Sequence, residues 1–215
     1  MKRLGLGILI MAASVSANPV STPSPGTYTN EEQVYFDKEA GRPPPPWIGI
    51  VVTRVGSAAT IKDIDAFGKP TSATFDQSAI SDASGDTITA TLKSGVKTTL
   101  RRARDVTCWG AAPKAQKKAD GSEDWYFIPG LKMHDQGGRV RFGGGDTGAP
   151  EYILRMRNVI FATGTNRPSV VLYIHTPQDP DRAISYAWGD PDVSRLGVNL
   201  RTMQASCTIA KGEIK

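Results

Sequence analysis

Three pairs of arginines share an i, i+2 spacing within segments that alternate like β-strands. The pairs are Arg102 with Arg104, Arg139 with Arg141, and Arg155 with Arg157. Because side chains alternate along a strand, each pair lies on one face. Guanidinium groups bind carboxylate, phosphate and sulfate in forked geometry, so pairs facing one lumen predict a cationic ligand pocket. The alternative is an outer face, where arginine stems cover apolar surface and the charged ends pair with acids.

The surroundings of two of these pairs indicate different orientations. Leu100 and Val106 flank Arg102 and Arg104, and the opposite face of that segment is more polar, which favours an inward pair. The opposite face of Tyr152–Phe161 is apolar, which favours an outward pair there. The sequence leaves both orientations open.

Two histidines, His134 and His175, are the only imidazoles in the chain. No H-E-x-x-H or H-x-H spacing exists, so neither a metal site nor a cofactor is expected. No G-x-S-x-G element supports a serine triad. A structural or surface role is the default for both histidines. A hydrolase or lyase would have to use His134 with its neighbour Asp135.

The glycine-rich segment Gly143–Pro150 matches two short motifs. Its G-x-G-x-x-G spacing resembles a dinucleotide fingerprint, which requires a helix next, whereas the following segment alternates like a strand. Its Asp-Thr-Gly-Ala tetrapeptide would need a second copy to form an aspartic-protease dyad. We interpret the segment as a connection between strands.

The N-terminal residues indicate the compartment. Residues 1–17 begin with two basic residues, continue with a short apolar run and end in small residues at Val15 and Ala17. This pattern predicts a secretory signal peptide, followed by a flexible leader at 18–26 and a single β domain at 27–215. The expected location is therefore periplasmic or secreted, and no later apolar run is long enough to span a membrane.

Charge and cysteine content narrow the partners. The net charge of +5 is scattered along the chain without a basic stripe, so no nucleic-acid partner is expected. Cys108 and Cys207 are the only cysteines, and an oxidising compartment favours a disulfide between them. The alternative is two buried thiols.

The spacing of strand and turn signals predicts an all-β fold. About ten strands are expected, including Ala73–Ile80, Val96–Cys108 and Val198–Ile209, arranged as an antiparallel barrel or a two-sheet sandwich. One short N-terminal helix is expected after Thr29 and Asn30, with Glu32 and Gln33 completing a capping box. Aromatic residues are assigned to the core and barrel lining. They are Trp47, Trp109, Trp125, Trp188, Tyr126, Phe127, Tyr173 and Tyr186.

A spaced motif near the N-terminus resembles a known family. Gly26-x-Tyr28-x-Asn30-x-x-Gln33, followed by Pro45-Pro46-Trp47-Ile48, is similar to the opening of the CpcT/CpeT phycobiliprotein chromophore lyases. The resemblance covers residues 26–52 and implies a calycin-like antiparallel barrel with an N-terminal helix. It carries over no catalytic residue.

Three functions are compatible with these patterns. The first is a periplasmic or secreted barrel that binds a small anionic or amphipathic ligand, with the six arginines as candidate ligand-binding residues. The second is an interaction or structural module of the cell envelope, whose protein partners the sequence does not identify. The third is a hydrolase or lyase using His134 and Asp135, although catalysis is the less favoured interpretation.

Overall fold

The structure is a computed structural model that describes residues 23–56, 58–72, 75–160 and 167–211. Within these residues the chain forms fourteen β-strands and one α-helix, and all strand pairs are antiparallel. The prediction of an all-β fold with one short N-terminal helix is therefore confirmed. The segment interpreted as a signal peptide, residues 1–17, lies outside the described residues, as does the leader as far as residue 22.

The first half of the chain forms a six-stranded sheet that curls into a half-barrel. Its strands, in spatial order, are β3 (Ala58–Ile64), β2 (Gly49–Val55), β1 (Gly26–Thr29), β6 (Lys97–Arg102), β5 (Thr87–Thr91) and β4 (Ile80–Ser84). The strand β1 lies between β2 and β6. The concave face encloses a core of eight buried residues: Tyr28, Ile50, Val52, Phe75, Ala83, Ile88, Ala90 and Leu100.

The second half forms two four-stranded sheets that share one core. One sheet has the order β12 (Ser185–Gly189), β11 (Pro168–His175), β10 (Tyr152–Ile160) and β9 (Arg139–Phe142). The other has the order β13 (Arg195–Leu200), β14 (Met203–Ile209), β7 (Asp105–Pro113) and β8 (Trp125–His134). Leu154, Met156 and Leu172 of the first sheet pack with Val106, Met203 and other residues of the second, forming a sandwich.

A disulfide joins Cys108 of β7 to Cys207 of β14, which confirms the pairing favoured by the sequence. The two residues are direct partners in the antiparallel register. The bridge closes a loop of 99 positions that contains the whole of β9–β12.

The helix α1 (Glu31–Glu39) follows β1 directly, but the predicted capping box does not form. Asn30 precedes the helix and makes no capping bond. Its Nδ2 donates to the carbonyl of Pro46 and to Thr98 Oγ1, while its Oδ1 accepts from the amide of Ile48. Gln33 Oε1 likewise accepts from β6, at Thr98 Oγ1. The polar residues of the N-terminal motif therefore join the start of α1 to the segment before β2 and to β6.

Three expected strands differ in the structure. Val96–Cys108 is two strands, because the chain crosses between sheets at Ala103 and Arg104. Val198–Ile209 is interrupted by a hairpin turn between β13 and β14. Residues 73 and 74 of Ala73–Ile80 lie outside the described residues, and residues 77–79 form a 3₁₀ turn. Asp76 accepts a bond from the Ser78 amide, which favours a turn over a strand there.

The segment Gly143–Pro150 connects β9 to β10, as expected for a strand connection. It contains a 3₁₀ turn at Gly145–Thr147. A strand, β10, follows it, so the helix required by a dinucleotide fingerprint is absent at this described position.

Candidate functional site

Cross-strand pairing on the β9–β12 sheet aligns cationic and aromatic side chains on one face. Arg139 pairs with Arg155, Arg155 with Tyr173, and Tyr173 with Tyr186. The neighbouring row contains Arg157 and Trp188, each paired with Val171. Because directly paired residues share a face, these side chains form one surface.

The arginines of β10 point away from the sandwich core, as the apolar opposite face indicated. Tyr152, Leu154 and Met156 alternate with them and are buried in that core. Even so, the side chains of Arg155 and Arg157 are only 15% and 18% exposed, because α1 lies across this face of the sheet. The outer face of the sandwich is thus the floor of a cleft beneath the helix.

Glu31, the first residue of α1, is the acidic partner at this floor. Its carboxylate lies 2.6 Å from Arg155 Nη2 and 3.6 Å from Arg157 Nη1, and it is buried. Trp47 Nε1 donates to the second carboxylate oxygen at 3.0 Å. Gly137, at φ +82°, leaves the space for this carboxylate, since a Cβ there would lie 2.5 Å from Glu31 Oε2.

Two tyrosine rings fix the Arg157 guanidinium. Its Cζ lies 4.3 Å from the ring centroid of Tyr35 on α1 and 4.8 Å from that of Tyr173 on β11. Such contacts favour a cation over the ring face and hold the guanidinium plane in place. The side chain is therefore positioned before any ligand arrives.

The charges at the cleft floor do not balance. Arg155 and Arg157 share the single carboxylate of Glu31, which leaves one net positive charge among buried groups. Their Nε atoms are buried and have no hydrogen-bond partner. Burial lowers the pKa of Arg155, although Glu31 opposes this shift. An anion that reached the guanidinium Nη atoms would compensate the excess charge.

The cleft has a volume of about 660 Å³ and lies between the half-barrel and the sandwich. Tyr35 and Trp47 line one side, and Ala66 and Phe67 of the loop after β3 line another. Arg139 also lines the cleft, where its guanidinium donates to the carbonyl of Pro180 and to the exposed Asp181. Carboxylates of Glu39, Asp65 and Asp181 also line the cleft, so the unbalanced positive charge is confined to the floor at Arg155 and Arg157, beside the aromatic walls.

The same positive charges help to lower the pKa of His175. It is buried on β11, two residues after Tyr173 and on the same face of the strand. Neither ring nitrogen has a hydrogen-bond partner. Burial first, and then the charges of Arg139, Arg155 and Arg157, lower its pKa to about 4. The imidazole is neutral at physiological pH and does not line the cleft.

The six arginines do not form one pocket. Arg139, Arg155 and Arg157 line the cleft, whereas Arg141 pairs with Glu151 and lies over the ring of Phe67. Arg102 and Arg104 lie elsewhere, in a groove of about 280 Å³ at the junction of β6 and β7. The expectation that these two share a strand face is wrong, because their segment is split between two sheets.

His134 and Asp135 are buried at the end of β8. Asp135 accepts from the backbone amide and the Nε of Arg104, which occupies its two carboxylate oxygens. Burial lowers the pKa of His134, whose ring nitrogens have no hydrogen-bond partner. Both oxygens of the Asp135 carboxylate therefore accept hydrogen bonds from Arg104.

Sequence reasoning missed the contributions of Glu31, Tyr35 and Phe67 to the cleft. Nothing local marks them, since the Glu31–Arg155 pair joins residues 124 positions apart. The assignment of all large aromatics to the core is also wrong. Phe127, Tyr186 and Trp188 are exposed, and Trp47 lines the cleft.

Comparison with protein-family models, curated proteins and solved structures finds no match to this chain. In the part of the chain that the structure describes, no helix is long and apolar enough to cross a membrane. The same residues contain no cluster of three or more His, Cys, Asp or Glu side chains that could hold a metal ion.

Proposed function

We propose that this protein binds a small anionic, amphipathic molecule in the cleft beneath α1. A carboxylate, phosphate or sulfate group of the ligand contacts Arg155, Arg157 and Arg139, and its apolar part packs against the aromatic walls. The observation that carries the proposal is the excess charge at the floor, where two buried guanidinium groups share one carboxylate.

The walls support the amphipathic character of the ligand. The rings of Tyr35, Trp47 and Phe67 line the cleft and offer apolar faces beside the cationic floor. The volume is in the range of small-molecule sites, which combine apolar walls with a few convergent polar groups. We further propose that binding takes place outside the cytoplasm, since the Cys108–Cys207 bridge is typical of oxidising compartments.

A matched pair of fluorescent probes tests the proposal. Anilinonaphthalene sulfonate carries an aromatic body and a sulfonate, and N-phenyl-naphthylamine carries the same body without the charge. We expect the sulfonate to bind in a 1:1 complex and the uncharged amine to bind at least tenfold more weakly. Loss of one charge-assisted contact costs about 1.5–3 kcal/mol, so Arg157→Met should weaken sulfonate binding about tenfold or more.

Arg102→Met is the matched control, because Arg102 pairs with Asp86 and lies in the separate groove at the junction of β6 and β7. This variant should bind the sulfonate within twofold of the unmodified protein. Equal binding of the charged and uncharged probes, or an Arg157→Met variant with unchanged affinity, would overturn the proposal.

A further inference from the structure

Two large aromatic side chains at the edge of the cleft's sheet face solvent. Tyr186 is 58% exposed and Trp188 is 61% exposed, and both lie on β12. They alternate with half-buried Ser185, Ala187 and Gly189. Because exposed aromatic groups on one face are unusual without a binding role, this surface is a candidate for contact with a ligand. We name Tyr173, Tyr186 and Trp188 the aromatic platform.

The platform is continuous with the cleft. The ring centroid of Tyr186 lies 6.2 Å from that of Tyr173, and Tyr173 lies 4.8 Å from the Arg157 guanidinium. The ring centroid of Tyr35 lies 4.3 Å from the same guanidinium. A ligand fixed at Arg157 can therefore extend across the sheet toward β12 without leaving this surface.

The distribution of charge over the surface is uneven. The cations of this face all lie on β9 and β10, as Arg139, Arg141, Arg155 and Arg157. The platform strands β11 and β12 place aromatic and apolar residues, the small polar Ser169 and the neutral His175 on this face, and no charged residue. A ligand that matches this pattern has an acidic group at one end and neutral rings beyond it.

A nucleic-acid strand does not match the pattern. It carries one phosphate per nucleotide, and its binding sites combine base-stacking rings with cations that follow the backbone. An oligosaccharide with a single acidic sugar matches better, since its neutral pyranose rings have apolar faces for aromatic rings. Their hydroxyl groups suit the phenol of Tyr186 and the indole N–H of Trp188, two side chains that are more than half exposed.

We propose that the ligand is an acidic oligosaccharide. Its carboxylate or sulfate lies at Arg155 and Arg157, and the neutral sugars that follow stack on Tyr186 and Trp188. This inference rests on the proposed function, because the acidic end occupies the same cleft. It adds a ligand class and a second contact surface.

Isothermal titration calorimetry of the full protein with four probes tests this inference. The probes are aldotetraouronic acid (one glucuronic acid and three xyloses), glucuronic acid alone, xylotetraose and the oligonucleotide dT4. We expect aldotetraouronic acid to bind at least tenfold more tightly than either glucuronic acid or xylotetraose. It should also bind more tightly than dT4.

Variants distinguish the contribution of the aromatic platform to binding from that of the cleft floor. Trp188→Ala should remove most of the advantage of aldotetraouronic acid over glucuronic acid, and Tyr186→Ala should reduce it. Both should bind anilinonaphthalene sulfonate within twofold of the unmodified protein, which also reports an intact fold. Phe127→Ala is the matched control, since Phe127 is 57% exposed on β8 of the other sheet, and it should change nothing.

The outcomes are distinguishable. If the sulfonate binds at Arg157 but aldotetraouronic acid is no tighter than glucuronic acid, this inference is wrong and the proposed function stands. The same holds if Trp188→Ala has no effect, or if dT4 binds more tightly than the glycan. If neither the sulfonate nor glucuronic acid binds, both the proposed function and this inference are overturned.

Discussion

Glu31 balances two guanidinium groups with one carboxylate, so each member of this cluster has a different effect on stability. Glu31→Gln leaves two buried like charges and should destabilise the fold most, by about 3–5 kcal/mol. Arg155→Met leaves Glu31 with the more distant Arg157 as its partner, so it should lower the free energy of unfolding by less. Arg157→Met leaves the Glu31–Arg155 ion pair, which has no net charge. It should lower the free energy of unfolding least, by about 1 kcal/mol, because the contacts of Arg157 with the two tyrosine rings are lost. Urea unfolding of the three variants measures this order, and an equal cost for all three would contradict the charge excess.

Buried His175 should make stability depend on pH. Its pKa is about 4 in the folded protein, below the ordinary value of 6.5, so the unfolded chain binds more protons between these values. The free energy of unfolding should therefore fall as pH decreases from 6.5 to 4, by roughly 3 kcal/mol for this residue. His134, whose pKa burial also lowers, contributes with the same sign.

Urea titrations at several pH values measure the effect of His175. His175→Gln should flatten the dependence between pH 4 and 6.5 but leave the slope due to His134. Asp76, Asp120 and Asp124 have lowered pKa values, so they change protonation below pH 4 and do not affect the slope between pH 4 and 6.5. An unchanged slope in the variant would show that His175 titrates normally in the folded protein.

The N-terminal motif holds the start of α1 by hydrogen bonds to the segment before β2 and to the strand β6. Asn30 makes three such bonds while buried, to Pro46, Ile48 and Thr98. Asn30→Ala leaves these partners unsatisfied and should destabilise the protein by about 2–4 kcal/mol. Thermal unfolding measures the loss. Asn199→Ala, at an exposed position of β13, is the control and should stay within about 0.5 kcal/mol.

The same variant tests whether α1 covers the cleft. Because Asn30 anchors the start of the helix that holds Glu31 and Tyr35 above the sheet, its loss should also weaken sulfonate binding. A destabilised variant with unchanged probe affinity would show that the helix position does not depend on Asn30.

Strand alternation predicted the part of the site that is local in sequence. The apolar face of Tyr152, Leu154 and Met156 indicated which way Arg155 and Arg157 point, since side chains alternate along β10. The break between β6 and β7 had no such signal. No glycine or proline marks it, and the crossing depends on distant partners, such as the bond from the Ala103 amide to the carbonyl of Thr27.

Contacts between distant segments explain the remaining errors. The short strand β1 forms between β2 and β6, and four residues carry too weak a pattern to predict it. Glu31 and Phe67 reach the cleft only because α1 and the loop after β3 meet the second half of the chain there. Such placements follow from packing of the two cores and not from local propensity.

At the scale of the whole molecule, the disulfide should stabilise the sandwich that forms the cleft floor. A bridge closing 99 positions restricts the unfolded chain, which contributes up to about 4–5 kcal/mol. Reduction should therefore lower the urea midpoint, and Cys108→Ser/Cys207→Ser should reproduce the loss. The double variant serves as its own control, because reductant should not change its midpoint further. An unchanged midpoint on reduction of the unmodified protein would contradict this role.

In the proposed function, the cationic floor of the cleft binds the anionic end of a ligand. Nitrogen-15 NMR of the arginine Nε–H groups tests this contact, with signals assigned from Arg155→Met, Arg157→Met and Arg102→Met. Titration with anilinonaphthalene sulfonate should shift the Arg155 and Arg157 signals and leave that of Arg102, in the separate groove, in place. If the probe binds while both cleft signals remain unchanged, the ligand site lies elsewhere and the account is wrong.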